Sequence, residues 1–296
     1  MNPMTNSIAE SGSIDDEARA SSPELVGKTG LRAIQPEPSQ QSILSVEALR
    51  DSATRRAHIP LRITFVATDA DEPPPLARLV STQGRGGAVA VKLYLALVWR
   101  CSAPPFGTQI SARKWAILLD LDDPGTRGAR RVNAALRRLA DMKLIELAER
   151  RGEASQIVLL DESASGSAYT LPSTEYVKAG RQHADRYFRV PLTLWSSGHM
   201  QDMSAAAVAM LLATLEATRQ PHTSVWWSTT RFPKRYSISP AMRARGTREL
   251  VQRRLLLVTK QLVDQTSSKR FSNDRVRNTY LLINEAVPLW SVPKQG

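Results

Sequence analysis

One order of elements reads twice along this chain, and that repetition limits the folds open to it more than any other feature. In the first reading, Val89, Leu93, Ala96, Leu97 and Arg100 follow helical spacing. Leu95 and Trp99 widen the apolar face, so the helix is expected to be mostly buried and to end near Cys101. The run 103–107, Ala-Pro-Pro-Phe-Gly, breaks it. Ser111 caps a short second helix that turns Trp115, Leu118 and Leu119 inward. A turn over 122–126, with the cap and first-turn pair Asp123-Pro124, opens a third helix that runs to about Met142. Two strands, 143–147 and 156–160, then flank a polar tip containing Gly152.

The second reading repeats this order. An extended segment over 187–192 precedes an apolar helix over 204–218 with Ser204 as its cap. A short helix over 228–236 faces Phe232 and Tyr236 inward. Ser239-Pro240 opens a third helix over 241–254. Strands over 255–263 and 279–283 enclose a long basic loop, 264–278. Trp115 falls opposite Phe232, and Leu121 opposite Ile238. Identity between the halves is low, so the repeat is one of pattern.

Residues 1–75 lack this periodicity. Residues 1–57 are rich in Ser, Glu, Gln and Pro, and are expected not to bury enough apolar area to offset their ordering entropy. A short helix over 45–56 and a strand over 59–67 are the local exceptions, and Asp69 to Pro75 reads as a linker. The layout expected is therefore a mostly disordered region 1–75, a first domain 76–162, a linker 163–186 and a second domain 187–290.

Charge follows this division. Residues 1–80 carry 8 Lys and Arg against 11 Asp and Glu, and residues 81–296 carry 32 against 17. The net charge of +12 thus lies in the part with helical periodicity, which points to an anionic partner. Arg outnumbers Lys by 31 to 9, which suits bidentate contacts to phosphate or guanine. Cys101 is the single cysteine, so no intrachain disulfide or cysteine zinc site is possible, and the four histidines lack ligand spacing. No signal peptide or membrane span is read, so a cytoplasmic location, nucleoid- or plasmid-associated, is expected.

Helix, short helix, turn, helix and hairpin is the order of a winged helix-turn-helix. Residues 129–147, ARRVNAALRRLADMKLIEL, resemble the third helix and first wing strand of that family, and RGTRELVQRRLLLV in the second half resembles it too. Tandem winged helices in one basic chain are similar to plasmid replication initiators. The resemblance implies an α+β, mainly α fold of two winged helix-turn-helix domains in tandem. It also implies double-stranded DNA as partner, with the third helix in the major groove and the wing on the backbone or minor groove.

The phase of each third helix picks out the candidate contacts. Val132, Ala135, Leu136 and Leu139 share one face, which turns Arg127, Arg130, Ala134, Arg137 and Asp141 outward, with Asn133 and Arg138 on the flanks. With Asp141 the one acid on that face, ion pairing is not expected to occupy the arginines. In the second copy Thr247, Leu250 and Val251 face inward, and Arg245, Arg248, Glu249 and Gln252 outward, while Arg254 falls near the buried side. Arg150 and Arg151 sit at the first hairpin tip; Lys269, Arg270, Arg275 and Arg277 lie in or beside the second loop. Arg113, Lys114, Arg231, Lys234 and Arg235 on the short helices are further phosphate anchors.

Other signals carry less. Gly84-Arg-Gly-Gly87 lacks P-loop spacing. His183 to Arg186 resembles a recombinase box without a suitably placed tyrosine. Asp120 to Asp123 is better explained as a cap than a metal site. No catalytic residue, cofactor, metal, membrane or small-molecule substrate is expected, and a homodimer stays open. The competing reading is a winged-helix protein-interaction or dimerisation module with no direct sequence-specific DNA contact. Acids covering the third helices would favour it, and solvent-facing Trp99 or Trp115 would favour a split in which one copy dimerises and the other binds DNA.

Overall fold

The computed structural model describes residues 32–81, 86–150, 152–178, 186–262 and 276–288. The chain starts with α1 (Gln40–Ser52), β1 (His58–Arg62) and three helices, α2 (Ile63–Val66), α3 (Pro75–Val80) and α4 (Gly86–Arg100). Then come β2 (Gly107–Thr108), α5 (Ala112–Leu118), α6 (Arg127–Asp141), β3 (Ile145–Ala148) and β4 (Gln156–Leu159). After α7 (Pro172–Lys178), the second half runs β5 (Tyr187–Pro191), α8 (Thr193–Ser196), α9 (His199–Asp202) and α10 (Ala205–Ala217). It closes with α11 (Arg231–Tyr236), α12 (Pro240–Gln252), β6 (Leu256–Leu262) and β7 (Val276–Leu282). The protein is α+β, and no helix among the described residues is long and apolar enough to cross a membrane.

Two helices are apolar on every side, so other elements must cover them. α4 buries every residue from Val89 to Trp99, and α10 every residue from Ala206 to Glu216. They pack on each other; α6 covers α4, and α12 covers α10. Each half thus has an all-buried first helix under an amphipathic third helix, and both halves contribute to one core. Serine side chains accept from backbone amides at three of the expected starts: Ser111 from Lys114, Ser204 from Ala207 and Ser239 from Met242. At α6 the Asp123 carboxylate accepts from the Thr126 hydroxyl, and the helix itself begins at Arg127.

The strands repeat as well. β3 and β4 form an antiparallel hairpin, with β2 on the outer edge of β4, in the order β2-β4-β3. In the second half β6 pairs with β7, and Val225 makes an isolated antiparallel bridge to Tyr280 where β2 would stand. β1 and β5, which begin the two halves, pair antiparallel from His58↔Pro191 to Arg62↔Tyr187.

The expected disorder of 1–75 does not hold over 32–75. α1 packs on α5 and α8, and the Ser39 hydroxyl donates to Asp120 at 2.5 Å. Val46, Leu49, Ile59, Leu61, Phe65 and Val66 are buried. The backbone groups of β1 are satisfied by a strand far along the chain, a partner that local composition does not reveal. The expected strand over 59–67 is β1 followed by a helical turn, α2. Linker signals also misled at two places. Pro75 is buried at the start of α3, and in the segment 163–186 Tyr169 is buried against Phe106, with α7 following.

The contact between α10 and α12 depends on Gly246. A Cβ there would stand 2.1 Å from the Ala206 carbonyl oxygen and 2.8 Å from Met210 Cγ. Gly→Ala inside a helix normally gains up to about 1 kcal/mol. Here overpacking reverses that sign, and Gly246→Ala is expected to lower stability by about 1–3 kcal/mol. The urea midpoint should fall while the slope of the transition holds; an unchanged or raised midpoint would show that the helices separate freely.

Candidate nucleic-acid interface

The third helix of the first half divides as its 3.6-residue period dictates. Val132, Ala135, Leu136 and Leu139 are buried, Arg127, Arg130, Ala134, Arg137 and Asp141 are exposed, and Asn133 and Arg138 are half-buried. Its arginines are not equivalent. Arg137 donates through Nε to Glu149 at 3.0 Å and through a terminal nitrogen to the second oxygen at 3.3 Å, tying α6 to the end of the β3–β4 hairpin. Arg127 lies 3.7 Å from Asp123. Arg138 donates to the Arg78 carbonyl at 2.6 Å, and burial lowers its pKa. The expectation that these arginines go unpaired is corrected: acids from the preceding turn and the hairpin reach them. Arg130 has no ion pair among the described residues.

In the second half Gly246 and Leu250 form the buried side of α12, with Thr247, Val251 and Gln252 half-buried. Arg245 and Arg248 are exposed and unpaired among the described residues. Glu249 does not face outward as expected. It accepts from the Ser204 amide at 3.0 Å and from its hydroxyl, and it pairs with Arg253 at 3.0 Å, so it holds the start of α10 to the end of α12. Arg254 is exposed and Arg253 is the buried one. The helix stops at Gln252 and Arg254 takes φ +56°, which breaks the helical phase. The Gln252 carbonyl accepts from the Ile34 amide at 3.0 Å.

At the hairpins, Arg150 is exposed and 4.0 Å from Glu153. Arg277 is half-buried, donates to Gln261 at 2.9 Å and lies 4.6 Å from the Trp226 ring centroid. Arg151, Lys269, Arg270 and Arg275 lie outside the described residues. On the short helices Arg113, Lys114, Arg231 and Lys234 are exposed, whereas Arg235 is held by Glu216 at 2.6 Å and by Asp69 at 3.2 Å.

One cleft relates the two third helices. It measures about 940 Å³, and Arg131 of α6 and Arg245 of α12 both line it. Lys92 lies at its base, donating to the Gln201 carbonyl at 2.7 Å, and burial brings its pKa down to about 8. Arg131 was not singled out by helix phase because it sits at the edge of the buried face; only the second half of the chain shows what it turns toward.

Among the described residues no group of His, Cys, Asp or Glu is arranged to hold a metal ion. Cys101 is buried, with its thiol pushed up to about 11 by burial. Compared with known proteins, the chain matches no family model, no curated protein and no solved structure.

Proposed function

We propose that this chain binds double-stranded DNA through two winged-helix modules, as a plasmid-type replication initiator or a transcription regulator, without catalysing a reaction. The observation that carries this reading is the outward arginine face on α6 and on α12, each followed by an antiparallel hairpin. The strand order β2-β4-β3, echoed by the Val225 bridge beside β7 and β6, fits the same motif in both halves. Arg130, Arg245 and Arg248 supply donors for base edges or phosphates, and the exposed Arg113 and Lys114 of α5 and Lys234 of α11 supply further phosphate contacts.

A second reading keeps DNA for the second module and gives the first to docking or dimerisation. The acids that occupy Arg127 and Arg137 favour it. Trp99 and Trp115 do not, because both are buried and neither is offered to a partner.

The direct test is the salt dependence of duplex affinity by fluorescence anisotropy. With roughly six phosphates neutralised, affinity falls about a thousandfold between 50 and 200 mM salt. A flat salt dependence, or no duplex binding at low salt, ends the DNA reading.

A further inference from the structure

A second basic surface lies away from α6 and α12, and its chemistry is not that of a duplex contact. Arg186, Arg219 and Arg231 line a hollow of about 640 Å³. None of the three has an ion-pair partner among the described residues. The hollow also contains two acids, and both are already satisfied. Asp69 lies 3.2 Å from Arg235, and Glu216 lies 2.6 Å from Arg235 and accepts from the Tyr236 hydroxyl at 2.7 Å. The two acids share one arginine, so with Arg186, Arg219 and Arg231, unpaired among the described residues, the lining carries four arginines against two carboxylates and attracts an anion.

Aromatic rings flank the same space. Trp226 lines the hollow and is 51% exposed, although one side of its ring is stacked with Arg277. The remaining face of the indole is open beside these arginines and can take a stacked ring. The hollow shares Arg186, Glu216 and Arg219 with a smaller one of about 250 Å³, lined by Tyr176, Tyr187 and Arg189. Arginines and half-exposed aromatics therefore line two adjoining hollows that form one groove-like surface.

We infer that this groove binds a single strand of nucleic acid, its phosphates held by Arg186, Arg219 and Arg231 and an unpaired base stacked on Trp226. Duplex DNA offers its phosphates freely but keeps the faces of its bases inside the stack, so an exposed tryptophan recognises a strand whose bases are unpaired. A hollow of this size accommodates a nucleotide but not the width of a duplex. The inference does not rest on the duplex reading, and either can fail alone.

The test measures binding of the full chain to labelled dT and U oligomers and to a mixed-sequence duplex. Trp226→Ala is expected to weaken oligomer binding by about 5- to 150-fold, the loss of one base stacked on an aromatic ring. Trp226→Phe should keep most of the affinity. Arg219→Glu, at an exposed position that leaves the core intact, should weaken the oligomer too. Duplex affinity should stay within about twofold for the two Trp226 variants, since Trp226 is not among the candidate duplex contacts. Binding of either oligomer with this pattern supports the site, and the preferred oligomer names the sugar. The inference is overturned if the native chain ignores both oligomers at low salt, if Trp226→Ala and Arg219→Glu leave oligomer binding unchanged, or if duplex affinity falls in parallel in the Trp226 variants.

Discussion

Arg62→Leu is expected to destabilise the protein by about 3–5 kcal/mol well above neutral pH, the largest single-residue effect on the fold. Arg62 ends β1 and is 3% exposed; Glu162, just beyond β4, is fully buried. The guanidinium donates to the Glu162 carboxylate, to the Thr170 hydroxyl at 2.7 Å and to its carbonyl at 3.2 Å, and the Arg62 amide donates to Glu162 at 3.3 Å. Burial lifts the Glu162 carboxyl to about 7 against the pull of Arg62. Without the guanidinium that lift has no opposition. A carboxyl whose folded pKa is raised retains its contribution below the unfolded value and loses it as pH rises through the folded one. The charge part of the Arg62→Leu deficit should therefore be greatest well above pH 7, where Glu162 is ionised in the native chain, and fall away as pH drops to about 7, leaving only the lost packing and hydrogen bonds below it. Arg62→Leu combined with Glu162→Leu should recover much of the loss, because no buried charge is left alone. Denaturant melts of the single and double variants across pH check this; a pH-independent deficit would mean that packing, not charge, is what Arg62 supplies.

That pair also marks the limit of what the sequence discloses. Its members are separated by a hundred positions, and neither lies in a segment with clear periodicity. The pair joins the β1–β5 sheet, shared by both halves, to the end of the first hairpin, and so fixes how that hairpin unit sits in the fold. By contrast, the inward and outward faces of α6 follow from spacing alone, because one side of that helix is covered and the other is not. α10 was readable for the opposite reason, as a run of small and apolar residues too long for a strand and ended by polar ones. α1 gave little, since only Ser42, Val46 and Leu49 are buried and its contacts come from α5 and α8.

The charges on the candidate interface were legible as positions but not as partners. Helix phase identifies Arg137 as exposed, and it is; it says nothing of Glu149, which a hairpin turn brings to meet it. Likewise Glu249 is spaced as an outward residue, yet the start of α10 needs an acceptor and takes it. Spacing reports which side of its own helix a residue is on, and a neighbouring element decides whether that side is free.

Alanine at Arg130, Arg245 and Arg248 together should abolish measurable duplex affinity at physiological salt. These are the α6 and α12 candidates that are exposed and unpaired among the described residues. Each lost base contact costs about 1–3 kcal/mol, and each lost phosphate contact flattens the salt slope by about one unit. Arg130 belongs to one module and Arg245 and Arg248 to the other, so their effects should add on a duplex long enough to meet both. If only the second module meets DNA, Arg130→Ala leaves affinity unchanged while Arg245→Ala and Arg248→Ala still weaken it, which separates the two readings. Arg137 gives an independent check of sign. Its pair with Glu149 is exposed on both sides, 63% and 46%, and such pairs are worth about 0–1 kcal/mol. The arginine can therefore leave the acid for a phosphate at little cost, and Glu149→Gln, which removes a negative charge beside the helix, should raise duplex affinity and steepen the salt slope. A fall in affinity for Glu149→Gln would mean that Glu149 positions Arg137 for DNA, and full affinity in the triple arginine variant would remove both third helices from the interface.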